Sequence, residues 1–302
     1  MHEIDRVIAA ARSLMESGRR GILVTAISTS GSTYRRAGAR AVIAEDGSAY
    51  GLISGGCVER DLAERIEPWL ERLEPRLITY DSTSPSDIIF GTGLGCRGTI
   101  EMLIEPFDAG HPPDLVAGFR WCGREPVVWS TTFQGRSILQ EVVRPQKAIA
   151  VFGGGTDVSP VLRIAEDVGW RAEQFSPARI HPEQLEGAID LASFDAAVVM
   201  THNFLHDATL LELLLPSPIP YVGLLGPRRR GVELVAHIGP SIHPHAARLR
   251  NPIGLDLGGE TPDEIALSIV AEVQSVLNDR SARGLRERHE PIHAAAAASS
   301  LS

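Results

Sequence analysis

The sequence predicts an α/β protein of two domains, in which a small mixed α+β domain precedes a doubly wound parallel sheet. Three observations predict this class. Short apolar strands alternate with helical patterns between 147 and 280, which is typical of a parallel sheet covered by helices on both faces. One of these strands ends in three glycines before a helix begins, as in Rossmann-like folds. The first half contains strands and helices without a regular strand–helix–strand rhythm.

The first half begins with a predicted amphipathic helix, since the apolar residues of its first fifteen positions recur at helical spacing. Its predicted strands are the runs at 22–27, 40–44, 49–53, 77–80 and 99–105. The EDG turn at 45–47 predicts a hairpin between the second and third of these. A second helix is expected from Val58 to Leu73, and Pro68 should kink or shorten it.

The second half repeats strand and helix in turn. Strands are predicted within 147–155, 170–175, 194–203 and 219–226, with helices at 158–168, 207–215 and 228–238. The last helix carries a capping-box pattern, with Thr261 at the N-cap, Pro262 at the first helical position and Glu264 at the third.

Chain length and pattern together predict the domain boundaries. The 302 residues suit two domains. We place the small domain at 1–107, trailing strands and a linker at 108–145, and the Rossmann-like domain at 146–280. Residues 281–302 lack apolar periodicity and are expected to be a disordered tail.

Composition excludes several classes of function. A formal net charge of −9 argues against a nucleic-acid partner, because nonspecific binding to phosphates needs a basic surface. The sequence has no apolar run of the roughly 18 residues that a membrane span needs, and its start reads as a first helix, so we expect a cytoplasmic protein without a membrane partner. Three widely separated cysteines favour free thiols over a disulfide framework.

The glycine loop of the second half has the context of a phosphate-binding turn, because a strand precedes it and a helix follows it. Its residues are Gly153, Gly154 and Gly155. Val158 occupies the position of the third glycine of the dinucleotide fingerprint, and Ser176 stands where a ribose-binding acid is expected. NAD(P) binding is therefore doubtful; Arg179 could meet a 2′-phosphate or could be an ordinary surface arginine. The loop could also be only a tight turn.

Polar residues at two later strand ends are candidates for the same crevice. His202 follows one strand, and Arg228, Arg229 and Arg230 follow the next. Open α/β sheets bind ligands at the carboxyl ends of their strands, and cations at a helix N-terminus weakly favour an anionic ligand because they oppose the helix dipole. His202 and His206 have metal-ligand spacing, but ordinary loop histidines are the favoured interpretation.

Two cysteines of the first half are framed by glycines. Gly55 and Gly56 precede Cys57 at the start of a predicted helix, and Gly95 precedes Cys96. A helix N-terminus favours the thiolate form of cysteine, which is the form that attacks sulfur or binds metal. The residues alone leave two interpretations open: a shared functional site, or small residues that fill tight turns.

The segments GSTYRRAGARAVIAEDGSAYGLISGGCVERDL at 31–62 and GLGCRGTIEMLIEP at 93–106 resemble the first domain of the XdhC/CoxI family, the xanthine dehydrogenase accessory proteins. The segments AIAVFGGG, VVMTHNFLHD, YVGLLGPRRR and NPIGLDLGGETPDEIALSIVAEV resemble that family's Rossmann-like domain. The resemblance extends over about residues 5 to 278. The chain differs from the family pattern in Arg97 after Cys96, in GPRR in place of GSRR, and in Ser176 in place of an acid.

The resemblance implies that the chain binds molybdenum cofactor transiently and protects it while a cysteine desulfurase partner installs a sulfido ligand. It further implies delivery to a xanthine dehydrogenase-type molybdenum hydroxylase, a chaperone role more than that of a turnover enzyme, with a homodimer as one expected assembly. Under this interpretation the glycine loops admit the pterin, and Arg228 to Arg230 or the loop of Gly153 to Gly155 contact its phosphate. His202 is a further cofactor-binding candidate. Cys57 or Cys96 then lies near molybdenum or relays sulfur.

Two alternatives to the chaperone role stay open at the level of sequence. An NAD(P)-linked oxidoreductase would use the loop of Gly153, Gly154 and Gly155 but lacks the ribose-binding acid. A purely structural adaptor of a hydroxylase complex would leave the glycine-framed cysteines unexplained.

Overall fold

The computed structural model describes residues 3–31, 33–81, 98–176 and 189–287. The chain divides into two compact units, and the division lies between Pro145 and Gln146. Within the described residues, no helix combines the length and the apolar character that crossing a bilayer requires.

The first unit is built on an antiparallel sheet of five strands. These are β1 (Gly21–Gly31), β2 (Arg40–Ala44), β3 (Ala49–Gly51), β4 (Arg76–Asp81) and β5 (Gly98–Phe107). Their order across the sheet is β3-β2-β1-β5-β4, so the long strands β1 and β5 lie at the centre. The predicted β2–β3 hairpin is confirmed, although β3 ends two residues earlier than predicted.

Helices cover both faces of this sheet. They are α1 (Glu3–Glu16), α2 (Cys57–Glu64), α3 (Glu67–Leu70) and α4 (Asp114–Gly118). One core lies under α1 and α4, and a separate core lies under α2 and α3. The hairpin of β6 (Val127–Phe133) and β7 (Arg136–Val143) packs on the α1 core through residues such as Trp129 and Val143.

The helix predicted from Val58 to Leu73 is two helices, with Pro68 in the first turn of the second. Proline has no N–H to donate, and its ring clashes with the carbonyl four residues earlier. That carbonyl belongs to Glu64, the last residue of α2. The predicted effect of Pro68 is confirmed.

The second unit contains a parallel sheet of five strands, and the predicted fold class is confirmed. The strands are β8 (Ala148–Phe152), β9 (Arg171–Phe175), β10 (Ala196–Val199), β11 (Tyr221–Leu224) and β12 (Leu249–Arg250). The sheet order is β12-β11-β10-β8-β9. The chain leaves β8 toward one edge and returns on its other side at β10, so the switch point lies between β8 and β10, where doubly wound folds bind ligands.

Four helices pack on the two faces of this sheet. They are α5 (Val158–Asp167), α6 (Phe204–Leu214), α7 (Arg228–Ile238) and α8 (Pro262–Leu277). α6 and α7 contribute to one core, and α5 and α8 contribute to the other. The predicted capping box of α8 is confirmed: the Thr261 hydroxyl accepts a hydrogen bond from the Glu264 N–H, and the Glu264 carboxylate accepts one from the Thr261 N–H.

Candidate functional site

The loop before α2 is held by one buried carboxylate. The Glu59 side chain is 5% exposed and accepts hydrogen bonds from the Ile53 N–H at 2.5 Å and the Ser54 N–H at 2.8 Å. It also accepts one from the Ser54 hydroxyl. The Ser54 oxygen in turn accepts from the N–H groups of Gly56 and Val58, both at 3.1 Å. Side chains at both ends of the loop therefore fix its path.

The charge of Glu59 is compatible with its burial. Burial raises the pKa of Glu59, but the hydrogen bonds from Ser54 and Ile53 outweigh that effect and leave the pKa below its usual value. The carboxylate is therefore ionised at neutral pH and acts as a fixed acceptor for the loop. Sequence reasoning missed Glu59, because a glutamate in the first turn of an amphipathic helix is usually solvated.

Two glycines with open space beside them precede Cys57. Cys57 is the first residue of α2, is partly buried, and has a free thiol. A methyl group added at Gly55 or Gly56 would meet no atom within 4 Å. Gly56 has a φ of +104°, so its backbone conformation favours glycine, whereas the φ of Gly55 lies outside the left-handed region. Neither packing nor backbone conformation accounts for glycine at position 55.

Gly56 and Glu59 also line an open groove of about 560 Å³ between α2 and the β2–β3 hairpin. The other predicted cysteine site, Gly95 and Cys96, lies outside the described residues. The third cysteine, Cys122, is exposed and has a free thiol. Of the predicted N-terminal site residues, the structure therefore brings together Gly55, Gly56 and Cys57.

In the second unit, Gly153 is explained by packing. A side chain at Gly153 would place a Cβ 2.6 Å from the Met200 carbonyl oxygen and 2.9 Å from Val158 Cγ2. Because Gly153 has no side chain, two residues can pack closely against it: Met200, which follows β10, and Val158, which stands in place of the third glycine of the fingerprint. Gly154 and Gly155 are exposed at the mouth of the loop.

The carboxylate of Asp157, which sequence reasoning missed, lies beside the exposed glycines of this loop. Asp157 is the N-cap of α5, yet its side chain makes no capping hydrogen bond. Its Oδ2 lies 2.7 Å from His202 Nε2 instead, so the loop after β8 meets the loop after β10 through a residue that was not predicted. A methyl group at Gly155 would clash with the Asp157 carboxylate. This negative charge disfavours a second anion, such as a pyrophosphate, on the loop.

The three predicted arginines have different surroundings. Arg230 forms an ion pair with the buried Asp207. Arg229 Nε lies 2.6 Å from Oε1 of Glu233, which follows one turn later on an exposed face of the same helix. Arg228 is exposed and makes no ion pair with any residue that the structure describes. Of the three, Arg228 therefore has the guanidinium that a ligand can reach without replacing an existing partner.

A buried polar network joins α6, α7 and the residues that follow β10. Asp207 on α6 is 1% exposed and accepts hydrogen bonds from Arg230 Nη2 at 2.5 Å and Nε at 3.1 Å. Its other oxygen accepts one from the Thr201 hydroxyl at 2.5 Å. This network has a structural role, because it fixes α7 and the residues after β10 to α6. Within the described residues, no cluster of histidine, cysteine and acidic side chains could hold a metal ion.

Comparisons with known proteins match both units to one family. Residues 6–81 match the model of the XdhC and CoxI family, and residues 149–273 match the XdhC Rossmann domain.

Two relatives and one solved structure are similar over most of the chain. The chain is 29% identical to a probable xanthine dehydrogenase subunit of Bacillus subtilis, over 86% of this chain and 94% of the relative. It is 26% identical to the molybdenum cofactor insertion chaperone PaoD of Escherichia coli, over 88% of this chain and 86% of the relative. A crystal structure of a xanthine dehydrogenase from Bacillus halodurans has the same fold, with a TM-score of 0.71, 25% identity, and coverage of 96% of this chain and 98% of that one.

Proposed function

We propose, because this chain belongs to the XdhC and CoxI family, that it is an accessory protein which binds molybdenum cofactor for a xanthine dehydrogenase-type molybdenum hydroxylase. The observation that carries the proposal is the match of both units to one family, together with relatives that are named as a molybdenum cofactor insertion chaperone and as a xanthine dehydrogenase subunit. Each relative aligns with most of the chain, so the proposal concerns the whole protein.

The geometry supports the N-terminal loop as the place where the molybdenum end of the cofactor binds. Cys57 offers a free sulfur donor of the soft type that transition metals accept. Open space at Gly55 and Gly56 lets a bulky guest approach the backbone closely. The Glu59 and Ser54 hydrogen bonds hold the loop in place before the guest arrives.

The proposal also includes the sulfuration of the cofactor and its delivery to the hydroxylase. The cofactor is protected on this protein while a cysteine desulfurase supplies the terminal sulfido ligand, and it is then delivered to the hydroxylase. A homodimer is the proposed assembly. An NAD(P)-linked oxidoreductase has less support, because the Asp157 carboxylate stands at the glycine loop and no acid follows β9 at Ser176.

Replacing Cys57 with alanine is expected to lower cofactor retention by about tenfold, because the thiolate contact to the metal is lost. The measurement is the molybdenum and pterin content of protein purified anaerobically from a cofactor-producing host. The matched control is Cys122→Ala, which removes an exposed thiol and should retain cofactor like the native protein. Native protein without cofactor would contradict the proposed function, and full retention in the Cys57 variant would contradict the role of Cys57.

Replacing Gly55 with alanine tests whether the open space beside the loop is occupied by the cofactor. The added methyl group meets no atom within 4 Å and needs no left-handed backbone, so the free energy of unfolding should change by less than about 0.5 kcal/mol. Retention of molybdenum and pterin should nevertheless fall several-fold, since the methyl group takes space that the guest needs. Unchanged retention with unchanged stability would show that no guest lies against Gly55.

A further inference from the structure

A separate pocket of the first unit shares no residue with the Cys57 loop. It lies where the segment before β4, the start of α4 and the tip of the β6–β7 hairpin come together, and Glu105 of β5 also lines it. Its volume of about 570 Å³ falls within the range of roughly 300–1,000 Å³ that is typical of ligand pockets. The pocket therefore has room for a ligand group that the proposed function does not use.

The wall of this pocket is poor in hydrogen-bond donors. The Thr132 hydroxyl and the His111 ring, which line it, are already directed to the carboxylates of Asp114 and Asp108. Proline has no N–H to donate, and four prolines line the pocket: Pro75, Pro106, Pro112 and Pro113. A ligand that brings its own donors suits such a wall.

The pocket also carries negative charge that no neighbouring cation balances. Glu105, which is partly buried, and Asp114, which is exposed, both line it. Neither forms an ion pair with any residue in the ranges that the structure describes, and no lysine or arginine is among the described residues that line the pocket. The third acid of the wall, Glu74, already has Arg76 beside it at 3.7 Å.

The Glu105 carboxylate opposes folding when it is ionised. Burial, and next the charge of Asp114, raise the pKa of Glu105 to about 7, and the opposing effect of Arg40 is smaller. Arg40 itself is paired with Glu141. A carboxylate that costs stability is not explained by packing, and perturbed groups of this kind concentrate at functional sites. A cation in the pocket would offset the burial and the repulsion together.

We propose that this pocket binds the guanidinium group of an arginine side chain from a protein partner, with the Glu105 and Asp114 carboxylates as its acceptors. A guanidinium suits the pocket better than an ammonium group because it is flat, carries five N–H donors and is more weakly hydrated. The aliphatic stem of arginine packs on apolar surface, and the proline rings and Phe133 supply that surface. This inference goes beyond the proposed function and concerns a different surface of the first unit.

The test compares native protein with Glu105→Gln, which removes the charge but keeps the size of the side chain and one acceptor oxygen. Glu71→Gln is the matched control, because Glu71 is exposed and does not line the pocket. The probes are three blocked tripeptides of alanine, a central residue and alanine, in which the central residue is arginine, lysine or the neutral arginine analogue citrulline. A fourth probe, propylguanidinium, is the arginine side chain without a peptide. Binding is followed by NMR titration at about 0.15 M salt, which screens general attraction to an acidic protein.

Native protein and the Glu71 variant should bind the arginine peptide about tenfold more tightly than the citrulline peptide, and also more tightly than the lysine peptide and propylguanidinium. The Glu105 variant should lose most of the preference for arginine over citrulline.

Four outcomes would overturn the inference. Equal binding of the arginine and citrulline peptides to native protein would exclude recognition of a cation, and equal binding of the arginine and lysine peptides would exclude recognition of a guanidinium. An undiminished preference in the Glu105 variant would exclude its carboxylate as an acceptor. Propylguanidinium that binds as tightly as the arginine peptide would show that the pocket takes a small free guanidinium compound and not a segment of a protein.

Discussion

Replacing Arg230 with methionine is expected to lower the free energy of unfolding by about 3 kcal/mol. The substitution removes both hydrogen bonds of the guanidinium from the Asp207 carboxylate, which is 1% exposed and keeps the Thr201 hydroxyl as a donor at 2.5 Å. Removing one partner of a buried ion pair typically costs about 3–5 kcal/mol, because the other charge stays buried. A value near the lower limit is expected since the Arg230 side chain is 25% exposed. Denaturant unfolding followed by circular dichroism measures the change.

Arg229→Met is the matched control for this prediction. It removes a neighbouring arginine of the same helix, whose partner Glu233 is well exposed, and the Arg229 side chain itself is 87% exposed. Because water screens an exposed ion pair, this substitution is expected to lower the free energy of unfolding far less than Arg230→Met. Equal losses in the two variants would show that burial of Asp207 does not determine the effect.

Replacing Glu105 with glutamine is expected to stabilise the protein at pH 8 and to have little effect at pH 5. Burial, and next the charge of Asp114, raise the pKa of Glu105 from its ordinary 4.5 to about 7. The folded state therefore binds this proton more tightly than the unfolded state, and stability falls as the pH rises from about 4.5 to above 7. Glutamine cannot ionise but keeps an oxygen that accepts the Asp114 N–H bond. The difference at pH 8 should be on the order of 2–3 kcal/mol.

Denaturant unfolding at pH 5, 6, 7 and 8 measures this effect. Glu71→Gln is the control, because it removes an exposed carboxylate and should change the free energy of unfolding only slightly. A constant stability difference between native protein and the Glu105 variant at all four values would contradict the argument. That result would mean that the Glu105 carboxylate has the same proton affinity in the folded and unfolded states.

Local patterns predicted most secondary structure because they depend on neighbours in sequence. The break at Pro68 and the capping box at Thr261 both follow from contacts within one turn of helix. The strand order, with β8 between β9 and β10, depends on how helices pack across the sheet. No short segment of sequence specifies it.

Sequence patterns predicted only part of the candidate site, because they too depend on neighbours in sequence. Glycines mark close approaches and unusual backbone conformations, so the Cys57 loop was visible in the sequence. Glu59 and Asp207 were not, because each resembles a surface residue of its helix until the loop or the distant Arg230 encloses it. At Gly153 the pattern allowed a ligand contact or a tight turn, and the structure adds a packing reason for the glycine, the close approach of the Met200 carbonyl oxygen.

The short strand β3 has a consequence for self-association. It forms one edge of the first sheet with three residues, and Gly51 at its end has a φ of +90°. Unpaired backbone groups on a long, flat edge strand are a template for adding further chains, and this growth leads to amyloid-like aggregates. A strand of three residues that ends in a left-handed turn offers little template, so this edge resists intermolecular strand addition at high protein concentration.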